Sequence, residues 1–202
     1  RDASIQYDTT YMDSDNTMII EIGINEGKPY RFGNITFIGN TVYSSEKLTR
    51  QLGIKDNDIF DQSILNARLF GGGEAIEDIS SLYLDDGYLF FNATAIEVAV
   101  IEKKIDLEIR IYEGKQARIN KVMVKGNTKT NDHVIMRELR TRPGDLFKRS
   151  AIMRSQRELA QMQYFNPEKF DVKVDPNPGR NEVDITYVVE EKSSDQIQLQ
   201  GG

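Results

Sequence analysis

An internal repeat at a fixed offset of 87 residues constrains this 202-residue chain more than any other feature. Gly39-Asn40-Thr41 recurs as Gly126-Asn127-Thr128, and Glu26-Gly27-Lys28 recurs as Glu113-Gly114-Lys115. Ile35 and Phe37 match Val122 and Val124, Leu48 and Leu52 match Ile135 and Leu139, and Ile59-Phe60 with Ser63 matches Leu146-Phe147 with Ser150. A structural unit used serially points towards an array of interaction modules and away from a single catalytic pocket.

Within each unit the pattern reads β-α-α-β-β. Alternating Phe32, Ile35 and Phe37 lead into Gly39-Asn40, and Ile119, Val122 and Val124 lead into Gly126-Asn127, a turn pair able to take positive φ. Ser44 is the expected N-cap of a helix over 45–52, and Asn131 or Thr130 that of its copy ending near Leu139. Gly53 and Pro143-Gly144 end these helices. Second helices start near Ser63 and Ser150, and the later one carries an apolar stripe through Ile152 and Leu159 towards Tyr164. In the earlier copy the segment up to Gly87-Tyr88 is longer, and Gly71-Gly72-Gly73 should interrupt its helix, each interior Gly costing about 1 kcal/mol.

Hairpins close the units. Ile96, Val98 and Val100 alternate, turn at Glu102-Lys103-Lys104, and return through Ile105, Leu107, Ile109 and Ile111. The later copy runs Phe170, Val172, Val174, a turn at Asn177-Pro178-Gly179 suited to type II, then Val183, Ile185, Tyr187 and Val189. The first 27 residues repeat the hairpin, with Met18, Ile20, Ile22 and Ile24 standing 87 positions before Ile105, Leu107, Ile109 and Ile111. The expected organisation is the closing hairpin of a truncated unit over 1–27, a whole unit over 28–114 and another over 115–192, the chain being a fragment of a longer one. The fold class is α+β: three-stranded mixed sheets, first strand parallel to last, each covered on one face by two helices.

Enzymatic chemistry finds little support. His133 is the one histidine and cysteine is absent, so neither a zinc site nor a Cys/His nucleophile pair can be assembled, and no metal or cofactor is expected. Asp13-Ser14-Asp15-Asn16 opens like a calcium loop, but Met18 stands where Gly is needed and Ile24 where the bidentate Glu is needed. A phosphate cradle at Gly71-Gly72-Gly73 is disfavoured by Glu74, Glu77 and Asp78; hinge or irregularity is the better reading. Some KH domains share the β-α-α-β-β core, but the Gly-x-x-Gly clamp is missing and the net charge is −6, so nucleic acid is not an expected partner. The charge is uneven: residues 1–114 carry 10 Lys and Arg against 20 Asp and Glu, whereas residues 115–202 carry 16 against 12. The basic half is either a solvated surface or one that faces something anionic, such as lipid headgroups.

Edge chemistry remains. With the last strand central, the penultimate strand lies at an edge. Asn92 to Ile101 is long and holds only one charge, Glu97, while Asp171 and Lys173 blunt the corresponding edge beside Val172 in the second unit. The first edge is either covered by a neighbour or open to an incoming strand. Candidate binding positions are therefore Asn92, Ala93, Thr94, Ala95, Ile96, Glu97 and Val98, with Val172 and Lys173 in the second unit. Gly71, Gly72, Gly73, Glu74 and Glu77 form a candidate surface particular to this chain.

A serial β-α-α-β-β unit with Gly-Asn-Thr after its first strand resembles the POTRA family, the polypeptide-transport-associated domain. Residues 118–191 carry the most specific likeness, through Val122-Met123-Val124-Lys125-Gly126-Asn127-Thr128, Arg140-Thr141-Arg142-Pro143-Gly144-Asp145, Tyr164-Phe165 and Val183 to Glu191. They resemble the last POTRA domain of BamA-type outer-membrane β-barrel assembly proteins. Gln196 to Gly202 alternates as the start of a first barrel strand would, giving 193–202 that expectation. The resemblance implies a non-enzymatic scaffolding arm in the periplasm, part of an outer-membrane protein. Its expected partners are unfolded outer-membrane proteins, accessory lipoproteins and its own membrane barrel, with the basic last domain nearest the membrane surface. Two-partner secretion transporters also have POTRA arms, usually of two domains, so the third hairpin counts against that alternative. A POTRA-like arm on an enzyme or a cell-division protein is a further one.

Overall fold

Why the same turn recurs in both units is a matter of strand geometry. The computed structural model describes residues 2–71 and 78–192. In the first unit β3 (Arg31–Ile38) is followed by α1 (Ser45–Leu52), α2 (Gln62–Phe70), α3 (Ile79–Asp85), β4 (Asn92–Ile101) and β5 (Lys104–Tyr112). In the second, β6 (Arg118–Lys125) is followed by α4 (Asp132–Met136), α5 (Arg149–Gln161), β7 (Asp171–Asn177) and β8 (Glu182–Val188). A hairpin of β1 (Ser4–Met12) and β2 (Met18–Asn25) precedes them. The sheets run β3-β5-β4 and β6-β8-β7, with the first strand parallel and the penultimate strand antiparallel to the central last strand. This is the mixed α+β architecture expected from the repeat.

The helices start and stop where side-chain chemistry dictates. Ser44 accepts from the N–H of Lys47 and left-handed Gly53 ends α1, while Asp61 accepts from the N–H groups of Ser63 and Ile64 to open α2. Gly71, at φ 81°, ends α2, so the glycine-bearing segment does interrupt the helix, and α3 restarts under Asp78. The first sheet is thus covered by three helices, not two. In the second unit Asn131 occupies the cap position without a side-chain bond to the helix, and α4 stops at Met136, short of Leu139.

Each unit closes its own core. Leu48, Leu65, Ile79 and Tyr83 from the helices meet Ile105, Leu107 and Ile109 of β5; Ile135, Ile152, Leu159 and Phe165 meet Val183, Ile185 and Tyr187 of β8. Burial of a full-sized apolar side chain is worth about 1.5–3 kcal/mol. The first hairpin differs: Met18, Ile20, Ile22 and Ile24 are 52–64% exposed, whereas their counterparts in β5 are at most 8% exposed. The helices of the described residues pack on the other two sheets.

Two local expectations are corrected. The alternation of Ile96, Val98 and Val100 does not mark the buried face of β4. Ala93 and Ala95, opposite Ile111 and Ile109, face the core, and a register break between Glu97 and Ala99 leaves Val98 outside the ladder. Val98 and Val100 are about half exposed, at 55% and 47%. The β7–β8 turn is not type II, because Gly179 lacks the positive φ that type II needs at its third position: consecutive bonds from Arg180 N–H to the Asn177 carbonyl and from Asn181 N–H to the Pro178 carbonyl form a tight turn, ended by left-handed Asn181 at φ 53°.

Candidate interaction surface: an open sheet edge and a carboxylate latch

Both edges of a three-stranded sheet offer unpaired backbone groups, and the first unit treats its two edges differently. The start of β3 is occupied by its own loop: Phe32 donates to the Asp58 carbonyl and accepts from Asn57, and Phe60 donates to the Tyr30 carbonyl, all at 2.8–2.9 Å. The second unit repeats this with Ile119 donating to Asp145 and accepting from Gly144, and Phe147 donating to Ala117. In contrast, β4 pairs with β5 alone among the described residues. Its unbroken ladder runs from Asn92, opposite Tyr112, to Glu97, opposite Leu107; the bulge at Val98 follows.

The structure gathers the predicted positions on one strand. Ala93 is buried, Ala95 and Ile96 are half-buried, and Asn92, Thr94, Glu97 and Val98 are exposed. Val172 and Lys173 lie on the other candidate edge, β7, where Val172 packs against the core and Lys173 is exposed. That edge is blunted by Asp171 and Lys173, and also by Pro176, which has no N–H to donate. Gly71 lies beside Ile64, Ala67 and Phe70 on the open side of α2. Gly72, Gly73, Glu74 and Glu77, like 193–202, lie outside the described residues.

A second constellation went unread in the sequence. The Glu113 carboxylate, just past β5, accepts from the N–H groups of Thr41 and Val42 at 2.8 and 2.9 Å, from the Thr41 hydroxyl, and from the Tyr83 hydroxyl at 3.0 Å. Glu191 does the same past β8, accepting from the Thr128 hydroxyl at 2.8 Å and from the N–H groups of Lys129 and Thr130 at 2.9 and 2.6 Å. Asn40 and Asn127 complete each turn by donating to the carbonyls of Tyr43 and Thr130, both at 2.9 Å. The repeated Gly-Asn-Thr is therefore the receptor of a carboxylate latch that ties first strand to last. The sequence offered no signal for it: Glu113 belongs to a recurring Glu-Gly-Lys, but Glu191 precedes Lys192 directly and lies outside that repeat.

Burial works to raise both carboxyls, and the hydrogen bonds outweigh it. Glu113 is held below the ordinary value of 4.5, and Glu191 is lowered to about 2 by Thr130, Thr128 and Lys129. In the unfolded chain Glu191 takes up its proton near 4.5, so from there down towards about 2 protons favour the unfolded state. Above 4.5 the full contribution is present. The urea midpoint of the second unit should fall as pH drops through that window, and Glu191→Gln should flatten the dependence.

The family model described as "Surface antigen variable number repeat", POTRA, matches residues 30–114 and 117–192. The chain belongs to the POTRA family. Among curated proteins it is 30% identical over 187 residues to a putative outer membrane protein assembly factor of Treponema pallidum, covering 92% of this chain and 21% of that protein. It is 29% identical over 184 residues to the outer membrane protein assembly factor BamA of Nitratidesulfovibrio vulgaris, covering 88% of this chain and 22% of that protein. The POTRA chain thus spans about a fifth of the length of these relatives. Its fold is similar to POTRA3-5 of Haemophilus influenzae BamA, with a TM-score of 0.69 at 22% identity over 94% of this chain and 73% of that one. BamA-type relatives and BamA-like folds agree with the resemblance seen in the residues.

Proposed function

We propose that these POTRA units form part of the periplasmic scaffolding arm of an outer-membrane protein insertase, and that β4 receives extended segments of unfolded outer-membrane proteins by strand addition. The observation that carries this reading is the asymmetry of the first sheet. β3 begins under its own loop, while β4 pairs with β5 alone among the described residues and runs from Asn92 to Glu97 without a bulge and with a single charge. Main-chain bonding of that kind accepts many sequences, which suits a module that handles many clients. The blunted β7 takes a lesser part. Accessory lipoproteins and the membrane barrel are the remaining partners of the arm, with the basic second unit turned towards the membrane surface.

Proline scanning tests the edge. Backbone N–H groups alternate along a strand, so of Thr94→Pro and Ala95→Pro one removes a bond to β5 and the other removes an outward donor. The first should destabilise the unit by about 3 kcal/mol, as proline does inside regular structure. The second should leave the fold intact and weaken binding of a peptide from an outer-membrane barrel strand about tenfold, as loss of one net hydrogen bond implies. If photo-crosslinks from the peptide map away from 92–97, and neither variant lowers its affinity, the reading fails.

A further inference from the structure

The unit boundary carries an arrangement that the strand-addition reading does not use. α5 is the longest helix of the second unit, and its flanking residue Lys148 supplies no side-chain cap. Its first turn is served from the other unit: the Ser150 N–H donates to Asp85 Oδ1 at 2.7 Å. Asp85 is the last residue of α3, and seven positions earlier, on the same face two turns away, stands Asp78. The Asp78 side chain is only 2% exposed; it caps α3 through the Ser81 N–H and lies 3.7 Å from Arg149 Nη1, in the same first turn of α5. Two carboxylates of α3 thus meet the N-terminal end of α5, where free N–H groups and the helix dipole favour negative charge.

The chain leaving α3 continues the contact. Left-handed Gly87 accepts from the Ala117 N–H at 2.8 Å, and Asp86 accepts from the Gln116 side chain at 2.8 Å. Leu84, Leu89 and Phe90 pack against the core of the second unit. Nothing in the second unit corresponds to the break between α2 and α3, because α5 is continuous over its 13 residues.

We infer that α3 is a coupling element: with Asp85 capping α5 in trans and Asp78 holding Arg149, it sets the angle between the two POTRA units as a fixed elbow. α2 ends at Gly71 and α3 opens separately under Asp78, and α3 answers to two cores at once: Ile79 and Tyr83 lie in the first, and Leu84 packs on the second. The absence of cysteine makes the test clean. Spin labels on Glu46→Cys and Gln161→Cys, both exposed and on opposite units, report the inter-unit distance by pulsed EPR. A single narrow distance distribution is expected for the otherwise unaltered chain and for Asp85→Asn, which keeps the acceptor oxygen. Asp85→Ala should lose the narrow peak, and so should Ser150→Pro, which removes the donor at a helix position that tolerates proline. Combining the two should broaden the distribution no further than either alone. Amide spectra of both units verify that they stay folded; should Asp85→Ala melt the first unit, Ser150→Pro decides alone. A broad distribution in the unaltered chain, or a narrow one in Ser150→Pro, overturns the inference.

Discussion

Alanine in place of Gly126 is expected to destabilise the second unit by about 3–5 kcal/mol, the range of a change that forces backbone apart. Gly126 sits at φ 95°, and a Cβ there would stand 1.8 Å from the Val189 carbonyl oxygen. The turn after β6 lies that close because the parallel strand β8 passes beside it, with the Val189 N–H bonded to the Lys125 carbonyl at 2.8 Å. Gly144 provides the control. Its φ of 91° is nearly the same, yet nothing lies within 4 Å of a built Cβ. Gly144→Ala should therefore cost only the left-handed strain, about 1–2 kcal/mol. Urea denaturation of the two variants separates conformation from contact. Equal midpoints would show that φ alone sets the requirement and that the approach to Val189 is incidental. Gly39, whose Cβ would lie 2.2 Å from the Ile111 carbonyl oxygen, should behave like Gly126 in the first unit.

That comparison also marks what the residues disclose unaided. Strand order followed from the repeat, because a helical crossover between first and last strand favours parallel pairing, and β5 and β8 are central as that requires. Caps at Ser44 and Gly53 were readable since they act over three or four residues. The inner face of β4 was not, because periodicity favours the larger Ile96 and Val98 over Ala93 and Ala95, and a bulge shifts register without leaving a compositional trace. The candidate edge was legible as a run of ten residues with one charge; that the start of the opposite edge is occupied by the loop at 57–60 depends on tertiary placement. The latch and the trans-cap were illegible for a common reason. Glu113 meets Thr41 across 72 positions and Asp85 meets Ser150 across 65, separations at which a single sequence carries no pairing signal.

Glu113→Ala should be the most damaging single polar substitution in the first unit, costing about 3–4 kcal/mol by the price of leaving buried donors unpaired. Three kinds of donor converge on this carboxylate: the N–H groups of Thr41 and Val42, the Thr41 hydroxyl and the Tyr83 hydroxyl. Water can replace the partner of exposed Thr41, but Tyr83 is fully buried at the centre of an aromatic group, 4.3 Å from Phe91 and 4.9 Å from Tyr43 between ring centroids. Its hydroxyl would be left without an acceptor. Tyr83→Phe in the Glu113→Ala background should therefore recover about 1–2 kcal/mol, while the same change in the unaltered protein should destabilise it. Urea midpoints followed by near-ultraviolet circular dichroism of the tyrosines give the full double-mutant cycle. Additive effects would mean that Tyr83 finds another acceptor, and that the latch is fastened by the turn amides alone. Glu113→Gln should fall between, since one carbonyl oxygen survives while the amide group opposes donors it cannot accept from.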